Sequence, residues 1–338
     1  MTEIKTQVSG EIIDFCSTAR CETDYVQALR EDHVIDHHVL YTTEGAHAFY
    51  HYRGADLKQI DWEDEYRFFL QQPFWADHGT VALVSLGCGN ANPEKPLLAR
   101  LSAAEHEVAY IGVDTSRAML ELAQQNLSDA DYPRTYVLGD FTTAAFRSAL
   151  APLLAPYETR VYAMIGGTFG NFAQRQIAQA LQRLIAPGDY LYLDVVPKAQ
   201  AEQELGALKG RFARLPQNYR RFFTNLLERL DVPQGAVKIV SQEQAEPALD
   251  ALRYTFFIEP QQDVTLTYFG EPVTLQPGER VEVLNIRAYN PTALKAFMAD
   301  HGFGFVGEFL PQVGQLKHGW YRLLLQRNDA NREEGETG

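Results

Sequence analysis

Residues 81–86, Val-Ala-Leu-Val-Ser-Leu, form a short apolar, β-branched run that gives way to Gly87-Cys88-Gly89, the pattern of a buried strand entering a loop. The run 108–113 ends in the same way at Asp114. Thr115 or Ser116 can then cap a helix whose apolar positions Met119, Leu120, Leu122 and Ala123 recur at helical spacing. A third strand, 135–139, reaches Asp140. A fourth, 161–165, enters Gly166-Gly167-Thr168-Phe169-Gly170-Asn171, after which 173–185 reads as an amphipathic helix stopped by Pro187-Gly188. A fifth strand covers 190–196. Strands alternating with helices in this rhythm predict a parallel sheet covered on both faces, with ligands bound beyond the carboxyl ends of its strands. The glycines, Asp114, Asp140 and Asn171 all fall at such ends.

From about residue 200 the pattern changes. Two helical stretches, 202–215 and 219–230, precede alternating segments at 253–258, 264–269, 273–276 and 280–289. Turns at Gly270-Glu271 and Pro277-Gly278 predict antiparallel hairpins. A helix at 291–302 and strands at 303–309 and 319–327 then resume the parallel pattern and close the sheet. These shifts divide the chain into a core of 78–199 plus 288–328, a substrate-recognition domain of 1–77 plus 200–287, and a polar tail, 329–338, expected to fray.

Composition narrows the partners. Of 338 residues, 46% are hydrophobic and 22% charged, which suits a globular protein. The formal charge of -14, with no basic run to offset it, argues against nucleic acid. No apolar stretch is long enough to span a membrane, and the polar start lacks the pattern of a secretory signal, so a cytoplasmic protein is expected. Three cysteines, Cys16, Cys21 and Cys88, make no disulfide framework. The histidines at 33, 37, 38, 47 and 51 raise the alternative of a metal-dependent enzyme, but no cysteine or carboxylate set completes a site, and no metal is expected. The oligomeric state is left open.

The loop chemistry weighs two cofactors. Glycines at 87 and 89 let the backbone touch a ligand, and a carboxylate at the next strand end, Asp114, can accept both hydroxyls of a ribose. A nicotinamide enzyme shares these features. Here, however, Gly87-Cys88-Gly89-Asn90-Ala91-Asn92 lacks the third glycine that lets a helix press close to a pyrophosphate. S-adenosylmethionine (SAM) has no pyrophosphate. Asp140-Phe141 offers an acceptor for an adenine amino group beside a ring face, and Asn171 is placed to hold a methyl acceptor.

These residues resemble the histidine-specific SAM-dependent methyltransferases, a likeness that covers most of the chain. Gly166 to Asn171 is similar to that family's Gly-Gly-Thr-Ile-Gly-Asn, and Leu86-Gly87-Cys88-Gly89 with Lys95 to its Leu-Gly-Ser-Gly-Thr-Ser-x-Lys-Thr, with about two extra residues. Tyr41, Gly45 and Phe49 resemble its N-terminal segment, although Thr42 and Ala46 replace an Asp and a Ser. Residues 111–116, 139–142, 222–227 and 277–279 continue the likeness. The resemblance implies a class I methyltransferase, an α/β Rossmann-like sheet with an inserted α+β substrate-binding domain. It also implies that Gly87, Gly89, Lys95, Asp114, Asp140 and Phe141 bind SAM, and that Tyr41, Gly166 and Asn171 hold the head group of an amino-acid acceptor. The family's imidazole-binding acid and hydroxyl align with Leu284 and Ile286 or with Asn285 and Arg287. Neither choice supplies the pair, so an imidazole N–H would lack its charged acceptor. An Arg287 facing the acceptor would suit an anionic or carbonyl-bearing molecule. The expected reaction is methylation of the amine of an amino acid or derived metabolite, with Asn171 and Tyr41 as positioning groups in the catalytic step. A catalytically silent SAM-binding protein is the remaining alternative.

Overall fold

The computed structural model describes residues 11–15, 22–41, 45–47, 63–75, 79–199, 217–233, 235–310 and 321–328. The expected helix at 202–215, Cys16 and Cys21, Phe49 and His51 lie outside them. By contacts the chain forms two compact units: Met1–Ala19, Ile60–Val195 and Pro291–Gly338 in the first, Arg20–Gln59 and Val196–Asn290 in the second. The first therefore carries residues 60–77, which the sequence pattern assigns elsewhere.

In the first unit, β2 (Val81–Leu86), β3 (Val108–Asp114), β4 (Arg134–Leu138), β5 (Thr159–Met164) and β6 (Tyr190–Pro197) pair in parallel, in the order β4-β3-β2-β5-β6. A short β1 (Ile12–Asp14) lies parallel to β4. Every residue of β2 is buried, because a central parallel strand is covered on both faces and must be apolar throughout. Crossover helices α3 (Glu94–Ala103), α4 (Arg117–Asn126), α5 (Ala144–Leu154) and α6 (Gln174–Leu184) supply that cover. Ser116 caps α4 by accepting from Met119 N, and Thr143 caps α5 by accepting from Phe146 N. The helix α2 (Glu63–Leu70) and the turn after it press Phe69 and Phe74 onto Tyr192 and Tyr190 of β6, with ring centroids 4.8 Å apart in both pairs. That aromatic packing explains why residues 60–77 belong to this unit.

The closing strands correct one expectation. After α8 (Pro291–Asp300), β12 (Phe303–Phe309) and β13 (Tyr321–Arg327) pair antiparallel, and β13 also runs antiparallel to β6. The parallel pattern does not resume. An antiparallel return needs no covering helix, whereas a parallel crossover of a dozen or more residues usually does.

One buried ion network ties this edge together. Arg322 of β13 has no solvent exposure. Its Nη2 donates to Glu65 Oε2 at 2.9 Å, its Nε donates to Glu65 Oε1, and its Nη1 stands 2.5 Å from Asp194 Oδ1. Asp194 Oδ2 in turn accepts from Gly166 N at 3.0 Å.

In the second unit, β8 (Ala251–Pro260) lies between β7 (Val237–Glu246) and β11 (Val281–Tyr289), antiparallel to both. Val196 and Pro197 extend this sheet by pairing in parallel with Ala288 and Tyr289. The strands β9 (Val264–Tyr268) and β10 (Glu271–Leu275) form a separate hairpin whose two turn residues, Phe269 and Gly270, both have positive φ, as a twisted two-residue turn requires. The second expected hairpin is absent: β10 pairs only with β9, and Pro277-Gly278 links it to β11 of the larger sheet. Helices α1 (Glu22–Asp32) and α7 (Gln217–Arg229) bury Val26, Leu29, Phe223 and Leu226 against Phe256, Ile258 and Val283.

Deleting the Arg322 side chain would leave the buried Asp194 and the half-buried Glu65 carboxylates uncompensated. Arg322→Ala is expected to cost about 3–5 kcal/mol of stability, the range for breaking one partner of a buried pair. Guanidinium unfolding followed by circular dichroism measures it.

Candidate active site

The carboxyl ends of β2, β3, β4 and β5 gather the glycine loop, two aspartates and the Gly166 turn. Gly87 N and Cys88 N both donate to Val113 O, at 2.8 and 3.0 Å, so the loop is pinned to the end of β3. Asp114 then grips it from beside: Oδ2 accepts from Gly89 N at 2.9 Å and Oδ1 from Ser116 N at 2.8 Å. A carboxylate has about four acceptor sites. Holding two amides is thus compatible with accepting two ribose hydroxyls.

Gly87 and Gly89 have φ of +70° and +54°, where an L side chain is strained. Their surroundings differ. A Cβ on Gly87 would strike Thr168 Cγ2 at 2.7 Å, whereas one on Gly89 would meet nothing within 4 Å. Gly87 therefore allows the glycine loop and the Gly166 turn to touch, and Gly89 lies open to a ligand. Asn126 secures the far side of the loop by donating to Asn90 O and Asn92 Oδ1.

Asp140 is not a helix cap. Its Oδ1 accepts from Thr142 N and Oγ1 at 2.9 and 2.6 Å, a turn that leaves capping to Thr143 and leaves Oδ2 clear of Thr142. Beside it Phe141, buried, meets Phe172 edge to face with centroids 5.7 Å apart. Gly166 and Gly167 both take left-handed φ, which turns the chain into a short 3-10 helix, Thr168–Asn171. Thr168 Oγ1 lies 3.5 Å from Gly87 O and 3.3 Å from Ile165 O, closing the turn against the glycine loop. Asn171 is half-buried, the cap of α6 is Ala173, and among the described residues no hydrogen bond takes up the Asn171 amide. Lys95 is exposed on the first turn of α3.

Two carboxyl groups escaped the sequence reading. Asp194 sets the Gly166 amide, as above. Glu94 is 1% exposed and accepts from Ser85 Oγ at 2.6 Å, reaching back nine residues to close the loop at its base. Burial pushes its carboxyl up to about 7. An acid at the first position of a helix ordinarily reads as a solvated partner of the helix dipole, so the sequence carries no sign of this burial.

Tyr41, Asn285 and Arg287 belong to the second unit. Tyr41 is half-buried against that unit's core. Asn285 accepts from Thr255 Oγ1 at 2.7 Å and donates to Glu282. Arg287, 4% exposed, donates through Nε to Glu246 at 2.9 Å. Among the described residues no three His, Cys, Asp or Glu side chains are grouped so as to hold a metal.

The first unit's residues fit SAM on their own geometry: open space at Gly89, a fixed carboxylate at Asp114, and an acid beside a ring at Asp140-Phe141. The sheet and this cradle define a class I SAM-dependent methyltransferase. The sequence profile of the histidine-specific, SAM-dependent methyltransferases matches residues 22–322, and the chain belongs to that family. No curated protein matches it. Among solved structures it is similar to a SAM-dependent methyltransferase from Clostridium acetobutylicum, at 11% identity over 85% of this chain and 98% of that one, with a TM-score of 0.44. It is also similar to CalS10, an amino pentose methyltransferase from Micromonospora echinaspora, at 13% identity over 82% and 95%, TM-score 0.37. The glycopeptide N-methyltransferase MtfA with SAM bound gives 14% identity over 79% and 95%, TM-score 0.40. Likeness this remote assigns no role to any residue here.

Asp114→Ala is expected to abolish SAM binding in calorimetry while the circular dichroism spectrum stays that of the folded protein. Gly89→Ala should cost only about 1–2 kcal/mol of stability from backbone strain, yet lower SAM affinity by at least about tenfold, equivalent to 1.4 kcal/mol. An unchanged affinity would show that the space at Gly89 is not used.

Proposed function

We propose that the protein N-methylates the amine of an amino acid or a closely derived metabolite, with Asn171 as the principal positioning group. The observation that carries this reading is the Gly166 turn. It lies against the cofactor loop through Thr168 and Gly87, and it presents an amide with no partner among the described residues. SAM supplies a methyl group on a sulfonium. What the chain must add is alignment, with an unprotonated lone pair brought to about 3 Å from the methyl carbon and in line with the sulfur. Asn171 can orient the amine by accepting one of its N–H bonds, while the two left-handed glycines before it keep the turn close to the loop.

No strong base is needed for this reaction. An ammonium close to a sulfonium is disfavoured by like charge, so the amine is neutral more readily there than in water. Support for an amino acid comes from the family's description as histidine-specific. Histidine itself fits poorly, because Asn285 is engaged by Thr255 and Glu282, Arg287 is engaged by Glu246, and Leu284 and Ile286 are apolar. We assign Gly166, Tyr41, Asn285 and Arg287 to acceptor recognition and Lys95 to SAM on the sequence resemblance. No helix among the described residues is long and apolar enough to cross a membrane, and the setting proposed is the cytoplasm, with a small-molecule partner.

Mass spectrometry of free amino acids and amines incubated with enzyme and SAM is expected to reveal a product heavier by one or more methyl groups, together with S-adenosylhomocysteine (SAH). Asn171→Ala should then reduce kcat by about 10²-fold, the cost of slight misplacement, with SAM affinity nearly unchanged. Equal turnover in the variant would remove Asn171 from the site.

A further inference from the structure

Three acids converge behind the glycine loop, and two have their charge answered. Asp114 holds the amides of Gly89 and Ser116, and Asp194 faces the Arg322 guanidinium. Glu94 differs. Its Oε1 accepts from Ser85, but its Oε2 is fully buried with no hydrogen-bond partner. The charges acting on it are Asp194 from β6 and Asp114 from β3, both of which oppose its ionisation. The other titratable groups that feel it are Cys88 of the loop, Tyr110 of β3 and Tyr132, all uncharged, and each is pushed upward chiefly by burial. Among the described residues the principal charges acting on it include no cation.

A buried carboxyl with one unpartnered oxygen, on which the principal charges among the described residues are those of two other acids, is costly whichever form it takes. As the carboxylate it lacks a counter-charge; as the acid it has a proton with no acceptor. The ligand of this loop is itself a cation, carrying a sulfonium and an ammonium against one carboxylate. We propose that Glu94 is the proton-coupled counter-charge for the cofactor, losing its proton to solvent as SAM binds and recovering one once methyl transfer has removed the sulfonium charge and SAH departs. The same group would thereby favour the methyl donor over the spent product. The proposal rests on SAM as the cofactor and is independent of the acceptor.

The sign follows from linkage. A positive ligand stabilises the ionised carboxyl, so SAM affinity should rise with pH between 6 and 8, by at most about tenfold per unit. Because burial raises the Glu94 carboxyl to about 7, SAM binding at pH 7 should release a fraction of a proton.

Calorimetry of the whole protein at pH 7, in buffers of different ionisation enthalpy, counts that proton. The expected result is release with SAM, less with SAH, and none with SAM in Glu94→Gln, which keeps the Ser85 hydrogen bond without a titratable group. Equal release in Glu94→Gln, or no release in the wild type, would overturn the proposal. Should Glu94→Gln bind SAM too weakly for calorimetry, infrared difference spectra of the wild type still decide. Loss of a protonated-carboxyl stretch on SAM addition supports the proposal, and its persistence refutes it. Failure of the wild type to bind either SAM or SAH would overturn the cofactor assignment as well, which distinguishes the two.

Discussion

The Asp114 carboxylate, standing at the end of a buried strand with one backbone amide on each oxygen, is the contact from which the rest of the site takes its shape. It fixes Gly89 on one side and the start of α4 on the other. With the loop fixed, Gly87 can sit flush against Thr168 because it has no side chain. With Thr168 in place, the turn that ends in Asn171 faces the cofactor loop. Each step depends on the one before, and each uses a main-chain group that the parallel sheet brings to its edge.

Much of this was legible in the sequence because buried parallel strands and the turns that follow them leave strong marks. Continuous apolar runs such as 81–86 can only be covered on both faces, and glycines at 87, 89, 166 and 167 mark backbone conformations that other residues avoid. Ser116 as a cap was readable for the same reason. Strand direction was not. The run 321–327, with three leucines between Arg322 and Gln326, reads as a strand, but nothing in its periodicity says that it lies antiparallel to β6. β7 was missed because Val237–Glu246 is a half-exposed strand whose polar positions do not alternate cleanly. Glu94 and Asp194 escaped because burial of an acid is a property of what packs around it.

The second unit carries the departures from the family pattern. At the β11 positions to which the sequence resemblance points, the side chains are apolar or already engaged with Glu246, Glu282 and Thr255. In folds of this kind function resides in the site rather than in the scaffold, so one cofactor cradle can serve different acceptors.

The Arg322 network has a consequence for how the chain matures. The amide of Gly166 is held by Asp194, and Asp194 is balanced by a guanidinium that is encoded more than 120 residues later, on the last strand of the sheet. During synthesis the nascent polypeptide therefore carries Asp194 without its Arg322 partner while residues 196–290, the larger part of the second unit, are being made. Only when the final strand docks does the methyl-donor cradle become electrically complete, so that a prematurely terminated chain would carry every cofactor motif and still lack the fastening that sets one of them.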